Sequence, residues 1–243
     1  RGSLGDELRH RSLTHESIEE LRVLTLFRGI CLGVSALHTL KPEPYAHRDV
    51  KPGNVLLSDA DEPVLMDLGS ARLARVSVSS PRSASRLQDY AAEHCSMAYR
   101  APELFNVTSD SIITEATDIW SLGCLLYAMC FYKSPFDIVH ERGDSIALAA
   151  QSGKINIPED SIYSSATHDM IQWITQVRPE MRPTADSIID RIDATLPLIS
   201  DKDRKVVSLA NTNSSANNVS NSAVHYTVNN DVDNQMKQRR TTS

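Results

Sequence analysis

The sequence predicts an α+β domain that is mostly helical and carries only a small sheet. Residues Glu16 to His38 place apolar side chains at intervals of three and four, which indicates a long amphipathic helix. Ser17 and Glu20 form a capping-box pattern near its start. The segment from Asp118 to Phe131 is apolar on nearly every side, so we expect a helix that is surrounded by protein.

The sheet prediction depends on two short apolar runs. Val55–Leu57 and Val64–Met66 flank a polar segment at residues 58–63, which predicts a hairpin. Both runs are too short to support a large sheet, so helices must form most of the core. Three further segments predict shorter helices: Ile146–Gln151, Ala166–Gln176 and Ala185–Ala194.

Composition excludes several classes of protein. Of the 243 residues, 41% are hydrophobic and 23% are charged, which is ordinary for a globular protein and excludes collagen or wholesale disorder. The net charge of −6 disfavours a surface that coats nucleic acid, so we expect no nucleic-acid partner. We identify no apolar run of about 18 residues that would cross a membrane. The cysteines include no C-x-x-C pair and are predicted to be free, buried thiols: Cys31, Cys95, Cys124 and Cys130.

Composition changes near residue 200. The segment from Asn211 to Asn234 is rich in Asn and Ser and has few large apolar residues, so it cannot form a core. We therefore expect residues 1–199 to fold and residues 200–243 to form a disordered polar tail. The basic residues near the end of the tail fit either a solvated segment or contact with an acidic lipid or partner: Lys237, Arg239 and Arg240.

Polar residues with chemical potential flank the predicted hairpin. Asp49, Lys51 and Asn54 precede its first strand, and Asp67 follows its second, so the hairpin brings them to the same end. The oxygen atoms of Asn54 and Asp67 suit Mg²⁺, which keeps some waters and binds substrate phosphates. An ammonium such as that of Lys51 can hold a transferring phosphoryl group, and the remaining carboxylate can accept a hydroxyl proton.

The order of these residues resembles the signature of eukaryotic protein kinases. H-R-D-x-K-P-x-N occupies residues 47–54, D-x-G occupies 67–69, and A-P-E occupies 101–103. A D-x-W-S-x-G pattern follows at 118–123, and a late arginine is present at Arg182. The resemblance implies a protein-kinase-like fold, mainly the helical C-terminal lobe with short hairpins. We identify no Gly-rich loop or strand lysine before these motifs, so we expect residues 1–199 to be a partial domain without its N-terminal lobe.

The resemblance implies a serine/threonine protein kinase that uses ATP and Mg²⁺ and acts on protein substrates. It makes Asp49 the catalytic base and places Lys51 on the γ-phosphate. It makes Asn54 and Asp67 the Mg²⁺ ligands. Leu56 would pack beneath adenine, although a core leucine describes this residue equally well. Ser3 either lies near the ribose or starts a helix.

Other matches imply structural roles. His47 and Leu68 resemble members of a stacked hydrophobic spine, and Gly69 completes the D-x-G motif. Asp118 is expected to hold the backbone of the catalytic loop. The late arginine is expected to form a buried ion pair with the A-P-E glutamate, Glu103.

The segment from Asp67 to Glu103 resembles an activation segment. Its middle, Arg75 to Arg86, contains several serines, and either a phosphoserine there pairs with Arg48 or the loop is polar and never modified. A short helix is expected at Leu87–Glu93. The resemblance places Ser96 and Tyr99 in the substrate loop. It also implies that Ser96 contacts the catalytic base, Asp49, and Lys51.

The Tyr45-Ala46-His47 and Met66-Asp67-Leu68-Gly69-Ser70 segments, with the run from residue 95 to 103, resemble the Numb-associated kinase family. This resemblance implies a cytoplasmic protein that associates peripherally with Golgi or other membranes through a lipidated N-terminus outside the sequence.

A non-catalytic alternative remains at this point. A shortened chain that begins at Arg1 could act as a binding or competing module through the lobe that docks substrates. The four intact polar residues at the hairpin favour the enzyme, because a scaffold has no chemical need for all of them. If the upper half of the nucleotide site is missing, we expect the chain alone to be weakly active or inactive.

Overall fold

The structure, a computed structural model, describes residues 2–199 of the chain. One compact unit spans Arg1–Leu196, and a second unit begins at Pro197, of which only residues 197–199 are described. The predicted polar tail and its basic residues therefore lie outside the described residues.

Eight helices are present between residues 2 and 199: α1 (Leu4–Thr14), α2 (Glu20–His38), α3 (Pro81–His94), α4 (Ala116–Phe131), α5 (Asp137–Glu141), α6 (Ile146–Ser152), α7 (Ser165–Ile174) and α8 (185–199). The strands are short: β1 (Gly2–Ser3), β2 (Tyr45–Ala46), β3 (Val55–Leu57), β4 (Pro63–Leu65), β5 (Arg72–Leu73), β6 (Val76–Val78) and β7 (Ser111–Ile113). The prediction of a mostly helical domain with little sheet is confirmed for these residues.

Helix α4 forms the centre of the core. Every residue from Thr117 to Cys130 is buried, as its all-round apolar sequence predicts. Helices α2 and α7 pack against it. The approach of α7 is so close that a Cβ atom on Gly123 would clash with the side chain of Thr175. The four cysteines are free and buried, which confirms that prediction.

The predicted hairpin forms, with its second strand displaced by one residue. Strands β3 and β4 pair antiparallel, with Val55 opposite Leu65 and Leu57 opposite Pro63. Strand β1 adds to the other edge of β3, giving the order β1-β3-β4. Two-stranded antiparallel pairs, β2 with β5 and β6 with β7, lie elsewhere in the chain.

The start of α2 differs from the prediction. The helix begins at Glu20, and its N-cap residue, Glu19, makes no side-chain capping bond. The predicted capping box of Ser17 and Glu20 is therefore wrong. The Glu20 carboxylate instead accepts hydrogen bonds from the backbone and hydroxyl of Ser164 and from the hydroxyl of Thr167, at the beginning of α7. A contact between helices has replaced the local cap.

The expectation that no apolar run of about 18 residues is present is wrong, because helix α2, with 19 residues, is long and apolar enough to cross a membrane by length and composition alone. One side of α2 packs in the core of the fold, where Phe27 and Val34 are fully buried. Its polar side forms ion pairs, including a two-bond contact from Arg28 to Asp193 in α8 at 2.5 and 2.9 Å.

Two glycines on α2 provide a matched test of the contact between this helix and the hairpin. A Cβ atom on Gly29 would lie 2.5 Å from Cγ of Pro63, whereas one on Gly33 would lie 3.4 Å from Cβ of Leu65. The proline ring is rigid, so we expect Gly29→Ala to lower the free energy of unfolding by about 1–3 kcal/mol. Gly33→Ala should be neutral or raise it by up to about 1 kcal/mol, since alanine favours helix. Urea unfolding followed by circular dichroism measures both; equal effects would contradict the packing described.

Candidate active site

The buried carboxylate of Asp118 fixes the loop that carries the predicted site. It lies in the first turn of α4, where Oδ2 accepts a bond from the backbone N–H of His47 at 2.6 Å and Oδ1 accepts one from Arg48 at 2.8 Å. The ring of His38, at the end of α2, contacts Oδ2 at 2.9 Å. Arg48 has a φ of 70°, a conformation that costs energy for a residue other than glycine. The two hydrogen bonds that Asp118 accepts hold the backbone in this conformation.

The pKa of Asp118 reflects two opposing effects. Complete burial favours the neutral acid and raises the pKa, but the bond and charge of His38, with the charge and N–H of Arg48, favour the carboxylate more strongly. The pKa therefore lies below the ordinary value for aspartate. The group is ionised at neutral pH and can hold both backbone donors.

The structure brings Asp49, Lys51 and Ser96 into mutual contact. Nζ of Lys51 lies 2.7 Å from Oδ2 of Asp49 and donates to the hydroxyl of Ser96 at 2.7 Å. The backbone N–H of Ser96 donates to Oδ1 of Asp49 at 2.8 Å. Burial raises the pKa of Asp49, but the contacts with Lys51 and Ser96 outweigh it, so the pKa lies below its ordinary value. Asp49 can therefore act as a base at neutral pH.

Asn54 is buried in the turn at Pro52–Asn54 and is oriented by Asp49. Its amide nitrogen donates to the backbone oxygen of Asp49 at 2.8 Å and to Oδ2 at 3.0 Å. This use of the nitrogen leaves the amide oxygen to act as a ligand. The N–H of Met66 donates to the backbone oxygen of Asn54 at 2.9 Å. Asp67 is therefore the next residue after one that is hydrogen-bonded to Asn54.

Asp67 has a φ of 61°, and its side chain accepts a bond from the N–H of Gly69 at 3.3 Å. One amide oxygen and one carboxylate fit the few protein ligands that Mg²⁺ takes beside substrate phosphates. Within residues 2–199, no group of three or more His, Cys, Asp or Glu side chains could enclose a metal. The donor set therefore suits Mg²⁺ shared with a nucleotide better than a metal held by protein alone.

Two residues expected at the nucleotide lie on the sheet. Leu56 in β3 is 41% exposed and is opposite Ser3 in β1. Its exposure distinguishes it from a core leucine, since the adjacent residues Val55 and Leu57 are buried. Ser3 caps α1, accepting from the N–H of Asp6 at 3.1 Å and donating to its carboxylate at 2.7 Å. The helix-start interpretation of Ser3 is therefore confirmed.

The expected stack of His47 and Leu68 stays a prediction, and the structure shows only the surroundings of each side chain. His47 is fully buried, and its Nε2 atom contacts the backbone oxygen of Met66 at 3.0 Å. Leu68 is 55% exposed. It begins the turn Leu68–Ser70, which directly follows Asp67.

Glu103 and Arg182 form a two-bond ion pair between segments that are distant in sequence. The guanidinium donates to the two carboxylate oxygens at 2.7 and 2.8 Å, and the arginine side chain has no exposed surface. It also donates to three backbone oxygens, those of Ala116, Gln176 and Val177. The pair thus connects residues 101–104 to the start of α4. Tyr99, in the same region, accepts a bond from the Ser121 hydroxyl on its backbone oxygen.

The expected loop at Arg75 to Arg86 is wrong, because this segment contains β6 and the start of α3. Ser80 and Ser83 form a capping box, and α3 continues to His94, so it is longer than the predicted helix. A phosphoserine pairing with Arg48 is not supported by the geometry. Arg48 is 5% exposed, and its terminal nitrogens donate to the hydroxyl of Thr117 and the backbone oxygen of Ala74, both at 2.8 Å.

Helix α3 is attached to the turn that follows Asp67. The hydroxyl of Tyr90 donates to the backbone oxygen of Ser70 at 2.8 Å. The hydroxyl of Ser70 donates to the backbone oxygen of His94 at 3.1 Å. The guanidinium of Arg72 lies 4.9 Å from the centre of the Tyr90 ring. Sequence reasoning assigned no role to these residues or to His38. Their contacts join segments that are far apart, which no local pattern reveals.

Comparisons with known proteins identify one family. The protein kinase domain family matches residues 2–191. The chain is 44% identical over 197 residues to serine/threonine-protein kinase 16 of Rattus norvegicus and of Homo sapiens, covering 81% of this chain and 63% of each relative. It is 33% identical over 223 residues to serine/threonine-protein kinase ppk13 of Schizosaccharomyces pombe, covering 79% of this chain and 65% of that protein. The chain thus spans less than two thirds of the length of these relatives.

The buried and exposed ion pairs permit a controlled stability test. Removing the carboxylate with Glu103→Ala leaves the buried charge of Arg182 without its partner, so we expect the free energy of unfolding to fall by about 3–5 kcal/mol. The control Asp193→Ala breaks the more exposed pair with Arg28 and should cost less than about 1 kcal/mol. Urea denaturation measures both losses. A loss for Glu103→Ala as small as that for the control would refute a structural role for the buried pair.

Proposed function

The chain belongs to the protein kinase family, and from this membership we propose that it is part of a serine/threonine kinase acting on proteins. The reaction would transfer the γ-phosphate of ATP to a serine or threonine hydroxyl. The observation that carries the proposal is the contact set of Asp49, Lys51 and Ser96, in which an ionised carboxylate and an ammonium face one substrate-binding segment.

Asp49 is proposed as the catalytic base. The acceptor hydroxyl oxygen forms a bond to the γ-phosphorus, the bond from that phosphorus to the bridging oxygen breaks, and ADP departs with the electron pair. The hydroxyl proton passes to the Asp49 carboxylate. Its low pKa keeps this group ionised before the reaction, and the bond from Asn54 holds its orientation.

Lys51 is proposed to contact the phosphoryl group during transfer. Its ammonium lies between Asp49 and Ser96. From this position it can stabilise the negative charge that develops on the γ-phosphate oxygens. The Ser96 contact ties this ammonium to the segment on which the substrate would lie. The H-R-D-x-K order resembles kinases that act on serine and threonine, which supports hydroxyl acceptors of that kind.

Asn54 and Asp67 are proposed to hold Mg²⁺, which when bound would neutralise charge on the nucleotide phosphates. Leu56 is proposed to contact the adenine ring, because its exposed side chain lies on the sheet beside the phosphate-binding residues. Ser3 is engaged as a helix cap and is proposed only as a neighbour of the ribose.

The finer family and the location of the protein are also proposals. The motif variants at residues 45–49, 66–70 and 95–103 support membership of the Numb-associated kinase family. The similarity to serine/threonine-protein kinase 16 supports the same group. We propose a cytoplasmic protein that associates peripherally with Golgi or other membranes through lipidation.

The base assignment predicts a specific loss of activity. In the full-length protein, Asp49→Ala should reduce phosphate incorporation into a serine peptide by about 10²–10⁴-fold, because no other group would accept the proton. The exposed carboxylate of Asp160 provides a control, and Asp160→Ala should retain full activity. Transfer of radiolabelled phosphate from Mg-ATP measures the rates, with thermal melting as the folding check. Activity of Asp49→Ala within tenfold of the parent would show that Asp49 is not the base.

A further inference from the structure

A cavity beside the proposed catalytic residues is lined, among the described residues, by basic side chains and by no acidic one. It has a volume of about 350 Å³ and lies between α1, the turn at Pro52–Asn54 and the residues that follow α4. Lys51 lines it, and the Lys51 ammonium is 2.7 Å from the Asp49 carboxylate. A side chain entering this cavity would therefore belong to a residue close to the acceptor hydroxyl.

Three cations line the cavity: Arg9, Lys51 and Lys133. None of the described residues that line it is Asp or Glu. We propose that this basic cavity selects protein substrates that carry an anionic side chain, a carboxylate or a phosphate, near the serine or threonine acceptor. This inference rests on the proposed kinase function and adds the substrate class.

The ion pairs that Arg9 and Lys133 already form are weak enough to allow a further anion to bind. Arg9 pairs with Asp6 at 3.1 Å and Lys133 pairs with Glu141 at 2.7 Å, and all four side chains are about half exposed or more. Ion pairs of this kind contribute little, because water and salt compete with them. An incoming carboxylate or phosphate can therefore share or replace these partners, whereas none of the described residues that line the cavity offers a carboxylate to an incoming lysine or arginine.

Small residues create the depth of the cavity. Gly5, Gly53 and Ala128 lie in its wall. At Gly5 the packing favours glycine, because a Cβ atom would make a tight contact of 3.1 Å with the backbone nitrogen of Gly53. At Gly53 it does not, because a Cβ atom would meet only the Lys51 side chain, at 3.8 Å. A larger side chain, including an acidic one, is thus sterically possible at residue 53.

The open space at Gly53 provides a charge-reversal test. Gly53→Glu would put a carboxylate into the cavity, and Lys133→Glu would exchange a cation for an anion at its rim. Both should remove the preference for anionic substrates and favour a basic one. The control is Arg178→Glu, because Arg178 forms an exposed ion pair with Glu180 and lies outside the cavity.

Binding is measured by fluorescence anisotropy with labelled serine peptides and the 243-residue chain. The peptides share one sequence and carry Asp, phosphoserine, Asn or Lys at the positions flanking the acceptor. We expect the Asp and phosphoserine peptides to bind about two- to fivefold more tightly than the Asn peptide, and the Lys peptide to bind most weakly. The difference should shrink as salt is raised. A larger gain for phosphoserine than for Asp would identify phosphate as the preferred anion.

Equal affinity for the four peptides, tightest binding of the Lys peptide, or no measurable binding of any peptide would overturn the proposal. So would an unchanged order of affinities in Gly53→Glu and Lys133→Glu variants that keep the circular dichroism spectrum of the parent. Phosphate transfer to the Asn peptide by the full-length protein tests the proposed function separately. An active protein without a preference among the peptides would overturn the cavity proposal alone.

Discussion

The Asp118 carboxylate is the contact on which the proposed site depends, because it is fully buried and ionised and must be compensated completely. Two backbone N–H groups, from His47 and Arg48, and the ring of His38 provide this compensation. An unpaired charge at this depth would be very costly, so the loop and the helix constrain each other. The same bonds hold Arg48 in its left-handed conformation, and this determines the direction of the chain as it enters Asp49 and Lys51.

From Asp118 the constraint extends outward through side chains. The Arg48 guanidinium connects Thr117 in α4 to the backbone of Ala74, so the segment after Asp67 is fixed by the same helix. Arg182 attaches Glu103 to the backbone at the start of α4. The loop that carries Asp49 and two parts of the segment from Asp67 to Glu103 are therefore held by the same buried helix. This explains why α4 can be both the centre of the core and the support of the site.

Local patterns predicted the elements whose burial is decided by their own sequence. Helix α4 and the β3–β4 hairpin were evident because apolar residues recur at helical spacing or flank a turn, and the hairpin then implied that Asn54 and Asp67 lie together. Where tertiary contacts compete with local ones, the prediction failed. Glu20 contacts α7 instead of capping α2, and the polar segment at Arg75 to Arg86 becomes ordered by pairing with β7 and by the cap at Ser80. The role of His38 could not be predicted, because its partner is 80 residues away.

Amide hydrogen exchange tests the central claim most directly, since it reports on the two N–H groups that Asp118 is said to hold. In the parent chain, the amides of His47 and Arg48 should be protected. In Asp118→Ala they should exchange about 10–100 times faster, as expected for the loss of hydrogen bonds to a charged acceptor, while the amides in the second half of α4 remain protected. Unchanged protection of His47 and Arg48 in this variant would contradict the account, because it would show that the loop leading to Asp49 is held by other contacts.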